Sequence, residues 1–152
     1  MNKKIYFATD HAGFELKNII LAFVRDELRH DVVDCGATIL DTADDYPDFV
    51  HQAVKAVGED SVNSLAIVFG HSGQGEAMVA NRYQGVRAVV YYGHELEVIN
   101  LAREHNDSNV LSLGAHFVST DEAKKAVALW LSTAFSGDER HVRRISKIDL
   151  SN

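Results

Sequence analysis

A glycine-rich loop followed by a glutamate is the feature of this chain best suited to chemistry. Residues 65–82 read LAIVFGHSGQGEAMVANR: an apolar run, a loop with Gly70, Gly73 and Gly75, and then Glu76 at the predicted start of a helix. Glycines let backbone amides approach a ligand closely, and a helix start adds unpaired N–H donors. A carboxylate beside such donors can move a proton while the amides stabilise the developing negative charge, as enolisation requires.

The same loop also has a purely structural interpretation. Glycines are common at strand-to-helix turns, and an acidic residue in the first turn complements the helix dipole. The loop matches neither the dinucleotide fingerprint GxGxxG nor the phosphate-binding pattern GxxxxGK[ST]. The loop alone therefore leaves a ligand site and a structural turn both open.

Polar residues that can act with this loop follow two of the predicted strands. Asp10 and His11 come after the first strand, and His71 and Ser72 follow the third. Ligands of open parallel sheets bind beyond the carboxyl ends of the strands. We therefore expect these four side chains to gather at one edge of the sheet.

Two further groups of polar residues lie later in the chain. Residues 103–107 read REHND, where His105 is either an acid or base near neutral pH or a histidine favoured by a helix C-terminus. Arg140 and Arg144 share one helical face and either bind a phosphate or form a solvated basic surface. The histidines lack HxxxH and HExxH spacing and Cys35 has no CxxC partner, so no metal site is predicted.

Composition indicates the size and the setting of the protein. The chain has 152 residues, 46% of them hydrophobic, which suits one core and a single domain over residues 1–152. A net charge of −7 argues against nucleic acid or an anionic membrane surface as a partner. One cysteine, no signal-peptide pattern and no apolar stretch of about 20 residues predict a cytoplasmic protein without membrane association.

Apolar runs that alternate with helical patterns predict the elements that position these residues. Nearly continuous apolar strands between helices indicate an α/β fold with a parallel sheet covered on both faces. We expect an open five-stranded sheet with a C-terminal helical extension. The predicted strands are residues 5–8, 31–35, 65–69, 86–91 and 110–113, and the clearest predicted helices are residues 13–28, 46–57, a helix capped by Thr120 or Asp121 and ending near Phe135, and residues 138–150.

Together these features coincide with the motifs of one family. In chain order the motifs are DHAGF (10–14), DYP (45–47), GHSGQGEAMVANR (70–82), GVRAVV (85–90), REHNDSNVLSLG (103–114) and RHVRRI (140–145). Over nearly its whole length the chain resembles the ribose-5-phosphate isomerase B family, which also contains galactose-6-phosphate isomerase subunits. The resemblance implies a Rossmann-like three-layer sandwich and a cofactor-free, metal-free aldose–ketose isomerase of carbohydrate metabolism. It also implies a homodimer whose subunits share each active site.

The resemblance assigns the catalytic roles. The family's base is either a cysteine just after the third strand or a glutamate a few residues later; this chain has Gly70 at the first position and Glu76 at the second. Glu76 is therefore expected to take the proton from C2 of the open-chain sugar, while backbone amides of the loop stabilise the enediolate. His105 is expected to donate the proton associated with ring opening.

The resemblance also implies the substrate-binding residues. Asp10, His11 and Asn106 are expected to contact the sugar. Arg140 and Arg144 are expected to hold the phosphate of a substrate bound mainly by the other subunit. The remaining binding residues that it implies are Tyr46, His71, Ser72, Gly73, Gln74, Gly75 and His116.

Two positions depart from the family pattern. His116 stands where glutamate-type members have a third phosphate-binding arginine, and His71 stands where a small glycine is common. Histidine offers fewer donors than arginine and is charged only part of the time near neutral pH. We expect interconversion of ribose 5-phosphate and ribulose 5-phosphate. The alternatives are a galactose-6-phosphate-type or four-carbon substrate, or a sugar-phosphate-binding module without catalysis.

Overall fold

A computed structural model describes residues 3–149, and these form a sheet between two layers of helices. Within this range the strands are β1 (Lys4–Thr9), β2 (Asp31–Asp34), β3 (Ser64–Gly70), β4 (Ala88–Tyr91) and β5 (Val110–Gly114). The helices are α1 (Phe14–Ala22), α2 (Tyr46–Glu59), α3 (Gln74–Ala80), α4 (Glu97–Glu104), α5 (Thr120–Ser132) and α6 (Glu139–Ile145). All pairings are parallel, in the order β2-β1-β3-β5-β4. The predicted five-stranded parallel sheet is confirmed.

β3 shows why a nearly continuous apolar run predicted a sheet covered on both faces. Leu65, Ile67 and Phe69 pack in one core with residues of α1, α4 and α5. Ala66 and Val68 point the other way and pack with α2 and α3. Because successive side chains of a strand face opposite sides, a strand buried on both faces needs apolar residues at every position.

The helix boundaries differ from the prediction at α1, α5 and α6. The segment predicted as one helix over residues 13–28 is α-helical over α1 and continues as a π-helix over Phe23–Glu27. Ser119, rather than Thr120 or Asp121, caps α5: its hydroxyl accepts from the Glu122 amide at 3.2 Å, and the Glu122 carboxylate accepts from the Ser119 amide at 2.9 Å. This reciprocal capping box satisfies two amides that the helix leaves unpaired. α5 ends at Ser132, before the predicted Phe135, and α6 ends at Ile145. The predicted end of α6, residue 150, lies outside the described residues.

The strand order locates the crevice in which a ligand is expected. From β1 the chain passes to β2 on one side and then to β3 on the other, so the order reverses between β1 and β3. Open α/β sheets bind ligands at the carboxyl ends of the strands that flank such a reversal. Asp10 and His71 follow β1 and β3 directly at this point.

None of the helices within residues 3–149 has the length and apolar character needed to cross a membrane.

Lys17 of α1 is a fully buried cation that ties the end of β2 to the helix. Its Nζ donates to both carboxylate oxygens of Asp34, at 2.7 and 2.8 Å, and to the carbonyl of Ala37 at 2.9 Å. A buried ammonium needs such partners because it has lost its hydration. The pair therefore anchors the segment that leads from β2 toward α2.

We expect Asp34→Ala to lower the free energy of unfolding by about 3 kcal/mol, because it leaves the Lys17 ammonium buried without its counter-ion. Asp31→Ala is the matched control, since Asp31 pairs with Lys4 at 3.6 Å on the surface. That exposed pair contributes less than about 1 kcal/mol. Urea unfolding measures both losses, and equal losses would contradict the role assigned to Lys17.

Candidate active site

The loop between β3 and α3 is packed tightly against the end of β5. Gly73 has a φ of 77°, in the left-handed region that glycine adopts without strain. Its carbonyl accepts a hydrogen bond from Ser112 Oγ at 2.6 Å. A Cβ at Gly73 would lie 3.1 Å from the amide nitrogen of Gly114. The close approach fixes the path of the loop just before α3 begins at Gln74.

Glu76 lies in the first turn of α3 and is only 4% exposed. Burial raises the pKa of its carboxyl group, and the charge of Asp10 raises it further, while a hydrogen bond with its own backbone acts in the opposite direction. A carboxylate with a raised pKa accepts a proton more readily than an exposed one. The side chain is therefore suited to the role of a general base.

Gly70 provides the space that the Glu76 carboxylate occupies. A Cβ built at position 70 would overlap the carboxylate carbon and both of its oxygens. Position 70 has no room for a side chain while Glu76 lies in this position. A cysteine side chain at position 70 would therefore occupy the same space as the side chain of Glu76. This chain has the glutamate and a glycine at position 70.

Asp10 and His11 lie beside this loop at the end of β1. Asp10 Oδ1 accepts from the Ala12 amide at 2.9 Å and so caps a short 3-10 turn, His11–Gly13. Asp44 Oδ1 accepts from the His11 amide at 3.0 Å and lies 2.6 Å from Nδ1 of the His11 ring. The hydrogen bond with Asp44 raises the pKa of His11, and the charge of Asp10 adds to the rise.

Asp44 is a residue of this edge that was not predicted from the sequence. Its only signal in the sequence is a second aspartate directly before the DYP motif, and nothing in that pattern indicates a partner 33 positions away. Asp10, His11 and Asp44 also have donor atoms within 4.8 Å of one another, a spacing that could hold a metal ion. Within this group, the 2.6 Å contact between His11 Nδ1 and Asp44 Oδ1 is a hydrogen bond.

Tyr46 begins α2 and reaches across to the glycine-rich loop. A Cβ at Gly75 would lie 2.6 Å from the Tyr46 hydroxyl oxygen, so a glycine there lets the phenol contact the loop backbone. Pro47 follows in the first turn of α2, a position where proline fits a helix. Tyr46 thus lies on the same side of the sheet edge as Glu76.

The two departures from the family pattern are in contact with each other. The rings of His71 and His116 stack with centroids 4.3 Å apart and planes 17° apart, and the His116 amide donates to the His71 carbonyl at 3.1 Å. Phe117 packs edge-on against both rings. The two histidines form one aromatic unit next to the loop, rather than two independent changes.

His105 and Asn106 lie between α4 and β5, at the opposite edge of the sheet. Asp107, with a φ of 44°, shapes this turn, and its carboxylate bridges Arg87 at 3.0 Å and Arg103 at 2.9 Å. Arg87 Nε also donates to the carbonyls of Asn106 and Asp107 at 3.0 and 2.9 Å. Two arginines therefore hold the turn that presents His105 and Asn106.

α6 packs against this turn through His141. The rings of His141 and His105 have centroids 4.3 Å apart, and Nδ1 of His141 lies 2.8 Å from Ser136 Oγ. Burial lowers the pKa of His141, and the neighbouring His105 lowers it further. Arg140 and Arg144 are exposed on the same helix. Both guanidinium groups are thus carried by a helix that is anchored beside His105.

The predicted site residues form two clusters at opposite edges of the sheet. Strands β3 and β5, seven and five residues long, separate the clusters by about 15–20 Å within one chain. The Glu76 cluster, at the carboxyl edge, comprises Asp10, His11, Tyr46, His71, Ser72, Gly73, Gln74, Gly75, Glu76 and His116. The His105 cluster, at the amino edge, comprises His105, Asn106, Arg140 and Arg144.

Known proteins share the sequence and the fold over nearly the whole chain. The Ribose/Galactose Isomerase family model matches residues 5–148. Ribose-5-phosphate isomerase B of Mycolicibacterium paratuberculosis is 39% identical over 142 residues, which cover 93% of this chain and 87% of the relative. Ribose-5-phosphate isomerase B of Escherichia coli K12 is 38% identical over 146 residues, which cover 96% of this chain and 94% of the relative.

A solved structure gives the same result. The crystal structure of ribose-5-phosphate isomerase B from Mycoplasma genitalium with bound ribulose-5-phosphate matches with a TM-score of 0.91 at 38% identity. The match covers 97% of this chain and 95% of that one. The chain therefore belongs to the ribose/galactose isomerase family.

Proposed function

We propose that the protein is an aldose–ketose isomerase that interconverts ribose 5-phosphate and ribulose 5-phosphate. The observation that carries the proposal is the buried Glu76 carboxylate, with its raised pKa, beside a glycine-rich loop at the carboxyl edge of the sheet. The relatives named ribose-5-phosphate isomerase B support this choice of substrate. Conversion of ribose 5-phosphate by the purified protein tests the proposal, and binding without conversion would favour a sugar-phosphate-binding module instead.

The reaction transfers one proton between neighbouring carbons. Glu76 takes the proton from C2 of the open-chain aldose while negative charge develops on the carbonyl oxygen at C1. Backbone amides of residues 71–75 donate to the enediolate oxygen and stabilise that charge. Protonated Glu76 then returns the proton to C1, while the proton of the C2 hydroxyl passes to O1, so that the hydroxyl forms at C1 and the carbonyl at C2. His105 donates the proton that opens the sugar ring before these steps.

A homodimer with shared active sites accounts for the separation of the two clusters. His105 of one chain lies across the sheet from Glu76 of the same chain, too far to act on one sugar. In a two-fold symmetric dimer, the His105 cluster of one copy lies against the Glu76 cluster of the other. The same contact forms a second time with the two copies exchanged, which gives two equivalent sites. Exposed apolar side chains on the elements involved support this contact, since Met78 on α3 is 65% exposed and Val142 on α6 is 49% exposed.

Arg144→Ala is expected to raise KM for the sugar phosphate by about tenfold to hundredfold, because it removes a charged donor to the phosphate. We expect kcat to change less, since the phosphate is remote from the carbons that exchange the proton. Arg143→Ala is the matched control, an exposed arginine on the same helix that is not assigned to the site. Steady-state kinetics measure both; unchanged KM in Arg144→Ala would contradict the phosphate assignment.

The raised pKa of Glu76 predicts the acid limb of the pH profile. The reaction needs the ionised base, so kcat/KM falls as the pH decreases through the pKa of Glu76. Because burial raises this pKa, the midpoint of the fall lies above the ordinary glutamate value of about 4.3. Measuring kcat/KM between about pH 4 and 8 checks this. A midpoint at or below the ordinary value would contradict Glu76 as the base.

The His71–His116 pair makes a second substrate worth testing. Its stacked rings join the two positions that depart from the family pattern, so a four-carbon or a galactose-6-phosphate-type sugar is the alternative substrate. A panel of four-, five- and six-carbon sugar phosphates separates these cases by which sugar is converted fastest.

We also place the protein in the cytoplasm, where reducing conditions suit the single cysteine, Cys35, as a free thiol.

A further inference from the structure

Asp44 binds His11 at two atoms. Its Oδ1 accepts from the His11 amide at 3.0 Å and lies 2.6 Å from the ring Nδ1. The Asp44 side chain is 9% exposed, whereas the His11 side chain is 36% exposed. Within residues 3–149, Asp44 Oδ2 is buried and makes no hydrogen bond. The carboxylate is thus withdrawn from water and directed at His11 alone.

The bond with Asp44 leaves one nitrogen of His11 available. Nδ1 donates to the carboxylate, so the proton lies on Nδ1 in the neutral ring and Nε2 is the atom left to meet a ligand. The charged groups around His11 are Asp10, Asp41 and Asp44, and all three favour the protonated ring. In the imidazolium, Nε2 is a charged donor, which suits an anionic oxygen.

We propose that Asp44 is a positioning residue that fixes the orientation and the charge of His11, so that Nε2 of His11 donates to an anionic oxygen of the sugar phosphate. The proposal rests on the isomerase function proposed above. The anionic oxygen belongs either to the phosphate or to the enediolate, and both present the same chemistry to an imidazolium.

Hydrogen bonds within residues 41–44 hold the segment that carries Asp44. Asp41 Oδ1 accepts from the Ala43 amide at 2.9 Å, and the Asp41 carbonyl accepts from the Asp44 amide at 3.2 Å. Two residues after Asp44, Tyr46 contacts the loop at Gly75. One short segment therefore places Asp44 against His11 and Tyr46 against the loop that precedes Glu76.

NMR titration of the His11 ring tests the proposed pairing of Asp44 with His11, the Asp44–His11 dyad, and does not depend on a measurement of catalysis. In the wild-type protein we expect ring-nitrogen shifts of an Nδ1–H tautomer at high pH and a pKa above the usual histidine value. Asp44→Asn should lower that pKa, because the amide retains the shape of the side chain but not its charge. Asp45→Asn is the matched control: Asp45 is exposed, makes no capping hydrogen bond at the start of α2, and should leave the titration of His11 unchanged.

Kinetics of the same variants identify the oxygen that His11 meets. Asp44→Asn should lower kcat/KM by about tenfold to hundredfold, the usual effect of losing a charge-assisted hydrogen bond. A rise in KM together with weaker inhibition by inorganic phosphate assigns the phosphate. A fall in kcat with phosphate inhibition unchanged assigns the enediolate. In a His11→Asn background, Asp44→Asn should have little further effect, because Asp44 acts through His11.

Several results would overturn the proposal. An ordinary or lowered pKa for His11 in the wild-type protein would remove its basis, and this measurement needs no variant to fold. Equal titrations and kinetics for Asp44→Asn and Asp45→Asn would do the same, as would full additivity with His11→Asn. If the wild-type protein shows the raised pKa of His11 but converts no sugar, the proposed function fails while the dyad itself stands.

Discussion

Glu76→Gln is expected to lower kcat by about 10²- to 10⁴-fold while KM stays within a few-fold of the wild-type value. Glutamine retains the shape of the side chain in the space that Gly70 leaves open, but it cannot accept the proton from C2. Substrate contacts made by the loop and by the phosphate-binding residues remain. Steady-state kinetics with ribose 5-phosphate measure both constants.

The stability of the same variant separates lost chemistry from lost folding. Because the folded protein raises the pKa of Glu76, stability from this group is present at low pH and is lost as the pH rises through its unfolded and folded pKa values. Ionised Glu76 therefore destabilises the fold at neutral pH, and Glu76→Gln should be at least as stable as the wild type. Glu97→Gln, an exposed first-turn glutamate of α4, is the control for activity. Near-normal turnover in Glu76→Gln would contradict its role as the base.

Mixing two impaired variants is expected to restore activity. Glu76→Gln and His105→Asn each remove one of the two catalytic groups from every shared site, so each homodimer should turn over far more slowly than the wild type. After random subunit exchange, half of the dimers are mixed, and each mixed dimer has one site with both intact residues. Activity should return to about a quarter of the wild-type value. The recovery is measured after the two purified variants have been mixed and their exchange has been verified.

The control for this experiment is the doubly substituted chain. Glu76→Gln/His105→Asn mixed with Glu76→Gln contains no intact Glu76, so no mixture of these chains should recover. Absence of recovery from the two single variants, after exchange has been verified, would contradict the shared site. His105 would then have to act, if at all, from a position that the separation of the two clusters does not allow.

The fold was predictable because β3, the central strand of the sheet, is apolar over nearly its whole length. β3 reads as an unbroken apolar run because both of its faces are covered, and its predicted and observed boundaries differ by one residue at each end. The cap of α5 was missed although it has a sequence signature, Ser119 followed three positions later by Glu122. Thr120 and Asp121 are also residue types that cap helices, so the type of residue alone did not select among the three.

The placement of several candidate residues at the carboxyl edge of the sheet was predictable from the sequence, whereas the contacts between them were not. The order of strands and motifs placed Asp10, His11 and Glu76 at one edge, as expected for residues that follow parallel strands. The contacts between Asp44 and His11, and between His71 and His116, join residues 33 and 45 positions apart in the sequence. No local pattern encodes such contacts. The fit of Gly70 to the Glu76 carboxylate likewise depends on side-chain positions that only the folded chain defines.

Proton NMR in D2O follows the proposed proton transfer at C2 of the sugar. Purified protein is incubated with ribose 5-phosphate, and the C2 proton signal and the signals of ribulose 5-phosphate are followed beside Glu76→Gln. We predict that the wild-type protein exchanges the C2 proton and forms the ketose, and that the variant does neither at a comparable rate. If the folded wild-type protein neither exchanges nor converts any sugar of the four-, five- and six-carbon panel, the protein is not a sugar-phosphate isomerase.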